Sequence, residues 1–374
     1  MTRAWVRWVP AIAVPAVIVA GALAAPLAAG AAASLTVKTP QQLLAMVENS
    51  SVNTLSGTVE QTSNLGLPEL PTSGLGSGGS GSGSTDSAVT SALAFLTGTQ
   101  TARVYLDGPK NARVQILDPL AESDAVRHGN TVWLYSSKNN TATKVTLPSG
   151  LPKSGAGSAV PGAGLETPGS IAKQVLAAVE PSTKVSVPTS TRVAGRSAYE
   201  LVLTPVATDT LVGSVTIAVD AKTGFPLSVD VQARNQSKPA FEIAFTSISF
   251  TAPDASLFSF TPPKGATVKH ESFPTHASIN SRRPMSHKPA DMHSLPQSQK
   301  PIVVGTGWDA IIELPATAVP SSFSSSPLVG ELSQAVNGGR VLSTSLLNLL
   351  LTTDGRVLIG SVSVDKLQAA AASQ

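Results

Sequence analysis

The chain has 374 residues, 42% hydrophobic, 4% aromatic and 13% charged, with 30 Gly, 28 Pro and no Cys. Without Cys there is no disulfide framework, no thiolate chemistry, no iron–sulfur cluster and no Cys-based zinc site. Charge at about half the ~25% usual for globular domains argues against a charge-solubilised disordered chain. The length suits roughly two folding units, with cores built mainly from Val, Ile, Leu and Ala.

The net charge of +3 disappears once it is located. Arg3 and Arg7 sit at the extreme N-terminus, while residues 34–263 hold 15 basic and 16 acidic groups. Residues 264–300 hold six basic and two acidic groups, and residues 301–374 come to −2. The main body is nearly neutral, without the basic stripe a nucleic-acid binder needs. No nucleic-acid partner is expected.

Residues 1–33 read as an export signal. Arg3 and Arg7 form a positive start, Trp8 to Leu27 an apolar run, and Ala28 to Ala33 a small-residue stretch suited to signal peptidase. Cleavage is expected after Ala33. The rival is an uncleaved anchor, since about 20 apolar residues can span a bilayer, although Pro10, Pro15 and Pro26 weaken that helix. Either form places the body outside the cytoplasm, secreted or in the cell envelope.

A short helix is expected over 40–50, with Thr39 as N-cap and Pro40 at its first position. A strand follows from Leu55 to Thr62, with Leu55, Gly57 and Val59 on one face. Residues 64–100 read as an insertion whose run Gly76 to Ser84 is a flexible tether. Within it, Val89, Ala92, Leu93 and Leu96 fall at helical spacing, giving either a tethered lid or an ordinary packed helix. Strands at 101–107, 111–117, 122–128, 131–136 and 141–147 are separated by short turns, so they form an antiparallel meander.

Residues 149–165 form a second Gly/Ser/Pro loop, and Thr167-Pro168 opens a helix through Val179. Strands then follow at 184–193, 196–204, 212–220, 226–234 and 240–250, with a hairpin turn at Asp220 to Gly224. Residues 264–300 are a Pro/Ser/His-rich linker. In 301–374 strands are expected at 302–305 and 309–314, a helix around 328–336, and two apolar runs, Leu342–Thr353 and Val357–Val364. That is a small α+β appendage.

Catalytic patterns are lacking. His270, His276, His287 and His293 lie in the linker, where a metal site would need rigidly spaced ligands. No Gly-x-Ser-x-Gly elbow is present. Asp118, Glu122 and Asp124 read as a solvated loop rather than as paired carboxylates of a glycosidase. Gly76 to Gly83 lacks the Lys-Ser/Thr pair of a phosphate loop. No enzyme, cofactor or metal is expected. The remaining candidate is a curved aliphatic sheet, whose concave side must hold side chains, helices or a ligand.

The order of elements and several motifs resemble the LolA/LppX-like lipoprotein- and lipid-carrier superfamily, a fold shared with the RseB/MucB regulators. The motifs are Val132-Trp133-Leu134-Tyr135, Gly195-Arg196-Ser197-Ala198-Tyr199-Glu200-Leu201, Asp220-Ala221-Lys222-Thr223-Gly224-Phe225-Pro226-Leu227 and Leu257-Phe258-Ser259-Phe260-Thr261-Pro262-Pro263. The likeness covers about 35–270; the 64–100 insertion and the 301–374 appendage depart from simple carriers. It implies an α+β fold: a strongly curved antiparallel half-barrel with helices on its concave side, in a lipid-binding domain over 34–263. It also implies a non-catalytic carrier of a lipid or acylated lipoprotein. The alternative is an envelope-stress regulator that meets a membrane protein, an anti-sigma factor, through 301–374; a filled core without cargo is the third reading.

Strand alternation supplies the expected groove: Val59, Val104, Val114, Ile116 and Leu134 from the first half of the sheet. From the second half come Leu201, Leu203, Val215, Ile217, Val219, Val229, Phe241, Ile243 and Phe245. Val89, Leu93 and Leu96 would form the lid.

Overall fold

The computed structural model describes residues 35–66, 97–118, 121–147, 167–177, 182–272, 301–319, 323 and 327–373. The leader 1–33, the helix expected over 85–97 with Val89, Leu93 and Leu96, the loop 149–165 and the part of the linker beyond Ser272 lie outside these residues.

Helix α1 (Pro40–Glu48) begins with a capping box. Thr39 Oγ1 accepts from the Gln42 amide, and Gln42 Oε1 accepts from the Thr39 amide. Six strands follow: β1 (Thr54–Asn64), β2 (Thr97–Asp107), β3 (Asn111–Asp118), β4 (Ala121–His128), β5 (Thr131–Ser136) and β6 (Thr141–Thr146). After helix α2 (Pro168–Ala177) come β7 (Thr183–Ser186), β8 (Ser190–Val193), β9 (Arg196–Pro205), β10 (Val212–Asp220), β11 (Pro226–Ala233), β12 (Phe241–Ser249) and β13 (Thr267–Ser272).

These form one thirteen-stranded sheet in the order β13-β6-β5-β4-β3-β2-β1-β12-β11-β10-β9-β7, with β8 also on β9. It is open rather than closed into a barrel. Two meanders, β2–β6 and β9–β12, meet on β1, which pairs with both β2 and β12. Gly57 is required at that junction. A Cβ there would sit 2.9 Å from the Phe245 ring and 2.5 Å from the Ser247 carbonyl oxygen, so the missing side chain seats Phe245.

The second sheet takes β14 (Ile302–Val304), β15 (Ile311–Leu314), β16 (Gln334–Val336), β17 (Gly339–Ser343), β18 (Asn348–Thr352) and β19 (Val357–Gly360), ordered β14-β15-β19-β18-β17-β16. Helix α3 (Pro327–Leu332) precedes β16, and helix α4 (Val364–Ala372) is the last described element. Leu367 and Ala370 of α4 join Ile311, Val341, Leu350 and Leu358 in a small core.

The two sheets meet along a seam that combines hydrogen bonds with apolar contacts of Trp308 and Leu346. Leu211 N donates to Ser361 O at 2.7 Å, Thr210 Oγ1 to the same carbonyl at 2.9 Å, and Trp308 Nε1 to Thr183 Oγ1 at 2.8 Å. Lys366 Nζ stands 3.0 Å from Asp309 and 3.5 Å from Asp209.

Several elements differ from expectation. The strand expected over 184–193 is two, β7 and β8, because Pro188 between them has no amide to donate. Both pair with β9, at separate registers. The helix expected over 328–336 stops at Leu332, and Gln334–Val336 turns back as β16. The run Leu342–Thr353 is broken by a turn in which the Thr344 hydroxyl accepts from the Leu346 and Leu347 amides. Thr267–Ser272, at the start of the expected linker, pairs parallel with β6, so the sheet is mixed rather than wholly antiparallel.

Candidate functional site

Cross-strand register puts the expected groove residues on one face of the sheet, its inner face. Val59 lies opposite Phe245 and Ala102, Ala102 opposite Ile116, and Val104 opposite Val114. In the second half Leu201, Ile217, Val229 and Ile243 form one continuous row, with Leu203 and Val215 paired beside it. Val219 faces Tyr199, and Phe241 faces Val231. The set is brought together, but not as an open groove.

Burial divides it. Val59, Val104, Val114, Leu201, Leu203, Val215, Ile217, Val219, Val229, Ile243 and Phe245 are buried in a single core, which also takes Leu43 and Val47 of α1 and Ala172 of α2. Ile116, Leu134 and Phe241 pack against that core while remaining partly exposed. Helix α1 can approach so closely because Gly224, at φ +70°, has no Cβ; one would lie 2.2 Å from the Met46 carbonyl oxygen.

Beyond Ile116 and Leu134 the same face opens into a cleft of about 310 Å³, bordered by Ser123, Ser136, Thr141, Thr143 and Lys269. Sequence reasoning missed these residues. Alternation along β4, β5 and β6 carries the signal for four of them, but Lys269 depends on the parallel pairing of β13, which no turn announces.

The recognisable motifs serve packing. Arg196 Nε and Nη2 donate to the two carboxylate oxygens of Asp220 at 2.6 and 3.0 Å. Asp220 also accepts from the Lys222 and Thr223 amides and from Thr223 Oγ1. Burial alone would raise the Asp220 pKa, but the hydrogen bonds from Arg196 and Thr223 outweigh it and hold the carboxyl below its ordinary value. The Arg196 guanidinium lies 4.5 Å from the Phe250 ring centroid, and Tyr199 Oη donates to Thr36 O at 2.8 Å. On the outer face of the first half, the Phe260 ring lies tilted against Trp133 and Tyr135, with centroids 5.5 and 5.8 Å away. The closing segment thus clamps the β5 motif.

Of the acidic trio, Glu122 and Asp124 do not lie in a solvated loop. Asp124 is buried on β4, where Arg113 Nε and Nη2 reach its carboxylate at 3.1 and 2.7 Å. Gln115 Nε2 donates to Glu122 at 3.0 Å, and the Asp118 side chain lies outside the described residues. Cross-strand pairing, invisible in the linear spacing, explains the difference. Among the described residues no group of three or more His, Asp or Glu is placed to hold a metal ion, and no helix is long and apolar enough to cross a membrane.

No family model and no curated protein matches the chain. Solved structures do. The complex of MucA and MucB from Pseudomonas aeruginosa matches at 14% identity and TM-score 0.41, over 89% of this chain and 96% of that one. A LolA superfamily protein from Nitrosomonas europaea matches at 10% identity and TM-score 0.24, over 60% and 99%. A putative outer membrane lipoprotein-sorting protein domain from Vibrio parahaemolyticus matches at 12% and 0.22, over 58% and 93%. At these identities and TM-scores the matches give this chain no family and no role.

Proposed function

We infer that the protein is an exported, non-catalytic carrier that holds acyl chains of a lipid or lipoprotein against the inner face of its large sheet. The observation supporting this is the continuous aliphatic face. It runs from a filled core to Ile116 and Leu134, which stay partly exposed beside the cleft. An acyl chain laid there gains about 0.8 kcal/mol for each CH₂ removed from water. The leader's charge, apolar run and alanine cluster support export. Native mass spectrometry of protein purified from its own envelope should show an adduct of lipid mass, and a labelled fatty acid should bind the stripped protein. Absence of both would leave only a filled structural core.

The second sheet supports an alternative, a regulator of RseB/MucB kind that meets a membrane protein through 301–374. Its edge strand β14 and the neighbouring β15 leave Val303 62% and Ile312 45% exposed as a cross-strand pair. Crosslinking in the native envelope, with Val303→Asp as the disrupted form, separates the readings. A membrane protein captured by the wild type and lost from the variant would favour the regulator.

A further inference from the structure

The inner face changes chemistry across the first half of the sheet. One cross-strand row passes through Val104, Val114, Ala125 and Leu134, then ends on Thr143 and Lys269. The adjacent row passes from Ile116 to Ser123, Ser136 and Thr141. Aliphatic side chains give way to hydroxyls, and the hydroxyls to an ammonium at the sheet edge. Both rows run into the cleft of about 310 Å³, at the small end of the ~300–1,000 Å³ typical of small-molecule sites.

The local charges favour an anion. Lys269 is exposed and has no ion-pair partner among the described residues. Asp124 also borders the cleft, but Arg113 neutralises its carboxylate. Glu271 shares the strand and face of Lys269, one row away opposite Val145, and is exposed to water. A purely apolar ligand would strip water from the hydroxyls without replacing their hydrogen bonds. A purely polar one would leave Ile116 and Leu134 wet. An amphiphile satisfies both.

We propose that this cleft receives the anionic headgroup of an acyl lipid whose chains lie toward Ile116 and β3. The proposal rests on the carrier reading and specifies its cargo. Phosphate or carboxylate oxygens accept from the Lys269 ammonium and from the Ser and Thr hydroxyls, and charge-assisted bonds of this kind are the stronger class.

The test measures binding of phosphatidylglycerol and of diacylglycerol carrying the same fluorescent chain to the full-length protein. Lys269→Gln is compared with Lys264→Gln, an exposed site outside the cleft. The wild type should prefer phosphatidylglycerol. Lys269→Gln should weaken that lipid about tenfold and leave diacylglycerol unchanged, while Lys264→Gln alters neither. Equal wild-type affinity for the two lipids, or no effect of Lys269→Gln, would overturn the headgroup site and leave the carrier reading standing. Glycerol phosphate binding as tightly as phosphatidylglycerol would assign the cleft to a free phosphate instead. Binding of neither lipid would overturn the carrier reading itself.

Discussion

A carboxylate taken out of water without partners costs several kcal/mol, so a buried Asp must be matched by fixed donors. Asp220, 1% exposed, has Arg196 along one edge and the Thr223 amide and hydroxyl along the other. Asp220→Ala would leave the Arg196 guanidinium without its anion and should cost about 3–5 kcal/mol in urea unfolding. A loss under ~1 kcal/mol would mean that water replaces the pair. Asp230 is the opposite case. It stands opposite Glu242 on the outer face of β11; burial first, then the charges of Glu242 and Glu200, push its pKa up to about 7. The folded protein therefore keeps this proton to about pH 7, while the unfolded chain releases it near 3.8. Stability falls as pH rises between those values. Asp230→Asn should raise the melting temperature at pH 8 and change little at pH 4. An equal gain at both would show that repulsion between carboxylates is not the cause.

At the scale of elements, strands separated by polar turns were legible and strands defined by distant partners were not. The meander β2–β6 shows itself through Asp107-Gly108, His128-Gly129 and Asn139-Asn140, since such turns fix local antiparallel pairing. The strand β13 has no such signal: Thr267 to Ser272 is polar, and only its partner β6 makes it a strand. Helix α4 was missed although Ser363 caps it and Leu367 and Ala370 fall on one face, because its first residue closes the apolar run Val357–Val364. The apolar half of the candidate site was legible from alternation, the polar half was not, and no spacing tells a lined groove from a filled core. Helix α4 offers a test of the units 34–263 and 301–374. Leu367→Ala removes a fully buried side chain, a change worth about 2–5 kcal/mol. Amide exchange should rise in β15, β18 and β19 and stay slow in β2–β5. A rise spread evenly over both sheets would mean that the seam makes them one cooperative unit.

The large sheet joins two unlike halves on β1 and β12. The half from β9 to β12 is filled: Ile217 and Leu201 are fully buried, and α1 and α2 contribute to the same core. The half from β3 to β6 is only partly covered, with Ile116 and Leu134 half-buried above a cleft of hydroxyls. On the carrier reading proposed above, the filled half holds the geometry while the partly covered half takes the cargo. The same substitution should therefore have opposite consequences in the two halves. Ile217→Asp places a carboxylate in a sealed apolar core, where no partner stands ready, and should cost roughly 4 kcal/mol or more. Ile116→Asp places it where water reaches, so most of the folded stability should remain while a labelled fatty acid binds far more weakly. Melting temperature and fatty-acid affinity, measured on both variants, decide the matter. If Ile116→Asp unfolds the protein as Ile217→Asp does, both halves are filled and the inner face carries no cargo.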